Sequence, residues 1–314
     1  MTSARLKVLY IAGAHRSGTT LLSDILGSYD GVTGVGELHE LWAGLLSGRP
    51  CGCGLSLTAC PVWGSVIERL RPSEVCPAWT PAEAVAWRNH RARVWHTPAL
   101  VAGASVRSGP APRRDPYTLL MAATYSAVAE TQGSHVVVDS TKVPAGAALL
   151  ARMPDIEAYV LHMVRDPRAT VHSWASTKSA GVAQKTDDLT PVGTTSAALR
   201  WLGYNGFTEL LRFPFRSRYL MLSYEQFMES PQDALATIGS WIGEKLHPDP
   251  FRSDGLLDIS SSHSVAGNPS RFATAPRPVR VDNVWMDKMP AGKKLYASAL
   301  TSPLHRRYGY RLRS

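Results

Sequence analysis

Five short stretches of the chain are almost wholly apolar or β-branched, and each runs into turn and helix signals. Residues 7–12, 135–138, 159–164 and 219–222 have this form, and residues 32–35 repeat it with less apolar weight. Runs this short and uniform suit strands buried on both faces, as in a parallel sheet. The segments between them change period. At residues 19–28, Leu21, Leu22, Ile25, Leu26 and Tyr29 fall on one helical face. Asp115-Pro116, Asp166-Pro167 and Ser230-Pro231 each join an N-capping side chain to a proline at the first helical position. Strands alternating with helices predict an α/β fold. A P-loop-type parallel β-sheet flanked by helices is expected, in a single domain over residues 1–314, with its ligand at the carboxyl ends of the strands.

Two regions break that rhythm. Residues 40–114 hold all four cysteines (Cys51, Cys53, Cys60 and Cys76) and five of the nine tryptophans. They are expected to form an inserted, mostly helical cap over the sheet edge. Residues 179–195 read as a long loop of the kind that serves as a lid or binding loop.

Composition narrows the partners. At 44% hydrophobic and 19% charged residues, the chain has the make-up of an ordinary globular protein. A formal charge of +9 points to an anionic partner. The basic residues are scattered apart from short pairs such as Arg113-Arg114 and Arg306-Arg307, so nucleic acid is not expected. No apolar stretch approaches the ~18 residues of a membrane span. Residues 1–7 are short and polar, without the pattern of a secretory signal, and a cytoplasmic protein is expected. The cysteines lack the two-residue spacing of zinc ribbons and fingers. They are expected to be buried thiols, in a protein that holds no stoichiometric metal, with a zinc or redox site as the alternative reading.

The candidate chemistry starts at Gly13-Ala14-His15-Arg16-Ser17-Gly18-Thr19-Thr20, between the first strand and the first helix. Glycines near both ends let the backbone N–H groups converge on one anion, and the helix N-terminus adds partial positive charge there. A nucleotide-triphosphatase loop would carry lysine directly after the second glycine. Thr19 stands there, and the cation comes earlier, from Arg16. A P-loop kinase or NTPase, or a non-catalytic nucleotide-binding module, is the alternative reading.

Arg16-Ser17-Gly18-Thr19-Thr20 resembles the 5′-phosphosulfate loop of the PAPS-dependent sulfotransferases, where Lys or Arg precedes Ser-Gly-Thr-Thr (PAPS is 3′-phosphoadenosine-5′-phosphosulfate). The resemblance continues at Arg165-Asp166-Pro167, where an arginine ending a strand and Ser173 eight residues on are similar to the family's 3′-phosphate motif. The style of the motifs is that of bacterial and tyrosylprotein or Golgi-type members. The resemblance implies transfer of a sulfuryl group from PAPS to a hydroxyl of a small-molecule, glycan, lipid or peptide acceptor. Adenosine 3′,5′-bisphosphate would be the product and no metal would be needed. It implies that Arg16 with Ser17, Gly18, Thr19 and Thr20 holds the phosphosulfate, and that Arg165 and Ser173 hold the 3′-phosphate. Glu37, in a Gly-Glu setting after the loop, is the implied base, with His39 and Glu40 as nearby alternatives. Lys142 is the implied cation beside the transferring sulfonate, and Asp139 and Ser140 are expected to orient its loop. Tyr224 lies in a segment similar to a strand and Tyr-Glu element of these relatives. Asn268 and Arg271 lie in one similar to a late segment that closes over the nucleotide. The Arg-Lys-Gly form of the mammalian cytosolic enzymes is absent.

Overall fold

The five apolar stretches become one parallel sheet. In the computed structural model of the protein, which describes residues 5–73, 76–105, 115–175, 192–259, 262–273 and 275–311, β1 spans Leu6–Ala12 and leads through α1 (Thr19–Leu26) to β2 (Val32–Gly36). Four helices follow: α2 (Leu41–Ser47), α3 (Pro61–Arg69), α4 (Pro81–Arg91) and α5 (Thr97–Ser105). The chain continues through α6 (Pro116–Gln132), β3 (Val136–Lys142), α7 (Pro144–Leu150), β4 (Ile156–Val164) and α8 (Pro167–Ala175). Then come α9 (Thr194–Glu209), the one-turn α10 (Arg212–Phe215), β5 (Tyr219–Ser223), α11 (Tyr224–Glu229) and α12 (Pro231–Ile242). Most of the loop expected at 179–195 lies outside the described residues.

The strand order is β2-β3-β1-β4-β5, and every neighbouring pair is parallel. β1 is central, with β3 on one side and β4 on the other. The loop leaving β1 therefore sits where the order of connections reverses, the place where open α/β sheets bind ligands. Side chains of each strand alternate between two cores. Val8, Tyr10, Val137, Ala158 and Val160 face one, and Leu9, Ile11, Val138, Leu161 and Met163 face the other. The first core also contains Trp42, Trp63, Cys51 and Cys60, so the buried part of residues 40–105 is continuous with one face of the sheet. α1, α11 and α12 cover the opposite face through Leu22, Ile25, Phe227 and Ile238.

β3 runs on past the apolar triplet through Asp139, Ser140 and Thr141 to Lys142, all buried. A polar run survives there because Asp139 has partners. Its Oδ2 accepts from Tyr125 Oη on α6 at 2.6 Å, and its Oδ1 accepts from Thr141 N at 2.8 Å and more loosely from Leu38 N at 3.4 Å. Burial pushes the Asp139 carboxyl above its ordinary range, while Thr141 and Tyr125 pull it back. Tyr125→Phe leaves one buried carboxylate oxygen without its donor. The variant should lose about 1–3 kcal/mol in urea unfolding, and an unchanged midpoint and slope would show that water replaces the tyrosine.

Candidate active site

The loop after β1 is built by backbone geometry that few residues tolerate. Gly13 N donates to Lys142 O at 3.2 Å, which ties the end of β1 to the end of β3. Arg16 adopts φ 68°, in the left-handed region that costs a side-chain-bearing residue about 1–3 kcal/mol. Gly18 caps α1 at φ 84°, and a Cβ there would come within 2.7 Å of the Tyr224 ring. Tyr224 is thus a wall behind the loop. As at any helix start, the first N–H groups of α1 have no intrahelical partner. Ser17 Oγ is buried and also lacks a hydrogen-bond partner among the described residues.

In front of the loop is a cavity of about 130 Å³. The loop contributes Arg16, Gly18, Thr19 and Thr20 to its lining, β2 ends in it with Glu37, and β3 ends in it with Lys142. Asn268 and Arg271 close it from the late segment. The structure therefore brings eight of the twelve expected site residues to one cavity. Its cations are Arg16, Arg49, Lys142 and Arg271, against the single carboxylate of Glu37. His15 lines it too, held between the rings of Tyr204 and Trp174, and burial lowers its pKa to about 3, so it is a neutral imidazole.

Glu37 and Lys142 form a buried ion pair through Glu37 Oε1, each side chain 5% exposed. Lys142 reaches it from a left-handed backbone, φ 71°, where the register between β1 and β3 shifts. Burial alone would raise the Glu37 carboxyl, but the Lys142 charge holds it below its ordinary value. Glu37 Oε2 is buried and has no partner among the described residues. The alternatives are differently placed. Glu40 is engaged by Arg88 at 2.6 Å, His39 at 2.9 Å and Arg49 at 3.2 Å, and His39 turns toward Glu40.

Arg165, Ser173 and Tyr224 do not line this cavity; they gather around the other side of Arg16. Arg165 donates to Arg16 O at 3.0 Å, pairs with Asp282 Oδ2 at 3.0 Å and lies 4.3 Å over the Tyr224 ring. Ser173 Oγ accepts from Arg16 Nε at 3.0 Å. Asp282 is half-exposed, so an anion already sits on Arg165 at the protein surface. Asn268 spends its side chain on capping Ser270 N, and its own N–H reaches Thr20 Oγ1 at 3.2 Å. Arg271 holds two backbone carbonyls, Ser264 O at 3.3 Å and Pro50 O at 3.1 Å. Sequence reasoning missed His15, Arg49 and Trp174. His15 lies inside the singled-out loop, whereas Arg49 and Trp174 carry no local signal.

Neither a family model nor a curated protein matches the chain by sequence. Solved structures do match by shape. The sulfotransferase domain from the curacin biosynthetic pathway superposes with a TM-score of 0.54 over 98% of this chain and 99% of that domain, at 15% identity. The fold is that of the bacterial sulfotransferases. Two others have lower scores: the sulfotransferase domain of the Synechococcus PCC 7002 olefin synthase (TM-score 0.49, 17% identity, 99% of this chain and 98% of that one) and a sulfotransferase from Mycobacterium avium (0.49, 14%, 99% and 78%). Within this sulfotransferase fold, no helix among the described residues is long and apolar enough to cross a membrane.

The ion pair generates a pH signature. Held below 4.5, the Glu37 carboxyl adds stability that is complete above about pH 4.5 and is lost as pH falls through its folded value. Lys142→Met leaves a buried carboxylate alone, which should cost about 3–5 kcal/mol at neutral pH. The cost should shrink on acidification as Glu37 takes up a proton. Urea unfolding at several pH values reads both, and a cost independent of pH would contradict the pairing.

Proposed function

We propose that the protein is a PAPS-dependent sulfotransferase that transfers a sulfuryl group to a hydroxyl acceptor, with Glu37 as base and Lys142 as the cation at the transferring group. The observation that carries this reading is the Glu37–Lys142 pair, whose two residues line the same cavity as the loop after β1, with Glu37 Oε2 buried and without a partner among the described residues. The residues suit an anionic nucleotide. Open helix-start amides, an orphaned Ser17 hydroxyl and a cavity with more cations than carboxylates are what a phosphosulfate requires.

When bound, PAPS supplies a sulfuryl group whose bond to the phosphate oxygen breaks as a bond to the acceptor oxygen forms. The chain's own groups handle charge and proton. The loop amides and Arg16 hold the phosphate that leaves. Lys142 neutralises the charge that develops on the leaving oxygen. Glu37 Oε2 takes the acceptor hydroxyl's proton. These two roles are coupled. Once Lys142 turns its ammonium toward the donor, the interaction that depresses Glu37 weakens, and burial pushes the carboxyl up into a range where it is a better base. Paired with each other, the two side chains keep both charges neutralised in the absence of substrate.

Arg165, on the far side of Arg16, is assigned to the 3′-phosphate with Ser173, the phosphate replacing the Asp282 carboxylate. Tyr224 supports that arginine from beneath. Asn268 and Arg271 shape the roof and belong to the nucleotide side of the cavity.

Calorimetry tests the donor. Adenosine 3′,5′-bisphosphate should bind without Mg²⁺ and more tightly than ATP with Mg²⁺; the reverse order would favour a kinase or NTPase. Arg165→Ala should weaken that binding by about 1.5–3 kcal/mol, and unchanged affinity would remove Arg165 from the site. Glu37→Gln keeps an acceptor for Lys142 but removes the basicity. Its kcat should fall by ~10²–10⁴ while bisphosphate affinity persists. Near-normal turnover would assign the base elsewhere.

A further inference from the structure

Three of the four cysteines and one histidine meet outside the cavity. Cys51, Cys53 and Cys60 come from the connection between α2 and α3, and His263 from the late segment. Their sulfur and imidazole nitrogen atoms all lie within 4.8 Å of one another. His263 Nδ1 is 3.3 Å from Cys60 Sγ and 3.9 Å from Cys51 Sγ. A tetrahedral zinc site has Zn–S near ~2.3 Å and Zn–N near ~2.0–2.1 Å, which puts neighbouring ligand atoms roughly 3.5–3.8 Å apart. The cysteines are free thiols, and Cys76, the remaining one, stands apart with its Sγ toward Pro77 O.

The backbone around the group is fixed before any metal is considered. Cys51 N donates to Leu55 O at 2.8 Å and Gly54 N to Cys51 O at 2.9 Å, folding Cys51 and Cys53 into a tight knuckle. Cys60 sits immediately before the proline that starts α3. His263 is held by its carbonyl, which accepts from Trp63 Nε1 at 2.6 Å, so its ring is presented to the sulfurs from a clamped backbone.

We propose that Cys51, Cys53, Cys60 and His263 bind one structural Zn²⁺. Three thiolates and an imidazole complete a tetrahedron, so the site is closed and not catalytic. Its role follows from what His263 leads into. Ser264 O accepts from Gly52 N at 2.9 Å, Val265 N donates to Val35 O at 2.9 Å, and Ala266 O accepts from Glu37 N at 3.1 Å. The metal thus ties the cysteine-rich connection to the segment that fixes the backbone of Glu37. This departs from the expectation of metal-free thiols. The Cys-X-Cys spacing is atypical, and the fourth ligand lies 203 residues beyond Cys60.

The test is metal content in the full chain, purified reduced after expression with added zinc. Plasma mass spectrometry should find about one zinc per chain. Cys60→Ser and His263→Ala should lose it, whereas His263→Cys and Cys76→Ser should keep it. If the ligand variants do not fold, cobalt-substituted wild type replaces them and should show the absorption of tetrahedral thiolate-bound Co²⁺. Stripping the metal should speed amide exchange at Gly52, Val265 and Glu37. A folded, reduced wild type with neither zinc nor the cobalt spectrum would overturn the site. So would zinc retained in folded Cys60→Ser and His263→Ala, or a disulfide mapped among Cys51, Cys53 and Cys60. The metal count is independent of any transfer activity, so it stands or falls apart from the sulfotransferase reading.

Discussion

The buried carboxylate of Asp139 is the constraint on which the site's geometry depends. It sits midway along β3, the strand next to β1, completely buried, and must be satisfied by hydrogen bonds. Tyr125 provides one, and the backbone amides of Thr141 and Leu38 provide the others. Those two amides belong to the residues directly adjoining Lys142 and Glu37. One carboxylate therefore joins the ends of two strands, and with them the two residues of the buried Glu37–Lys142 pair. Ion pairs taken out of water are costly unless their geometry is fixed. Here the fixing is done by backbone groups, through a partner that does not touch the ligand cavity.

The loop after β1 works by the same division of labour. Its amides are kept open by the left-handed turns at Arg16 and Gly18, and those turns are supported from outside: Arg165 binds Arg16 O, and Tyr224 packs against Gly18. Residues that the sequence led one to expect as nucleotide contacts hold the loop in shape. Asn268 and Arg271 line the cavity while their hydrogen bonds go to Ser270 N, Ser264 O and Pro50 O.

Much of this was legible in the sequence, for reasons that are local. Strands of a parallel sheet are short apolar runs, and all five carry that signal, including the weak one at residues 32–35 that becomes Val32–Gly36 and the partly exposed edge strand Tyr219–Ser223. The loop from Gly13 to Thr20 stands out because glycines, a cation and hydroxyls cluster between a strand and a helix. What was not legible depends on distant pairing. The extension of β3 through Asp139 to Lys142 needs Tyr125, and no strand propensity predicts a buried polar run. Arg49 and Trp174 reach the cavity only because α2 and α8 end near it. His263 joins the cysteines across most of the chain, where spacing rules have no reach.

Lys142 and Glu37 form a closed pair, and we propose that the donor opens it. A crystal structure of the complex with adenosine 3′,5′-bisphosphate tests it most directly. The 5′-phosphate is expected on the loop amides and Arg16, the 3′-phosphate on Arg165 in place of Asp282, and Lys142 Nζ turned from Glu37 toward the phosphate. A nucleotide bound elsewhere, or one on the loop with the Lys142–Glu37 pair intact, would contradict it.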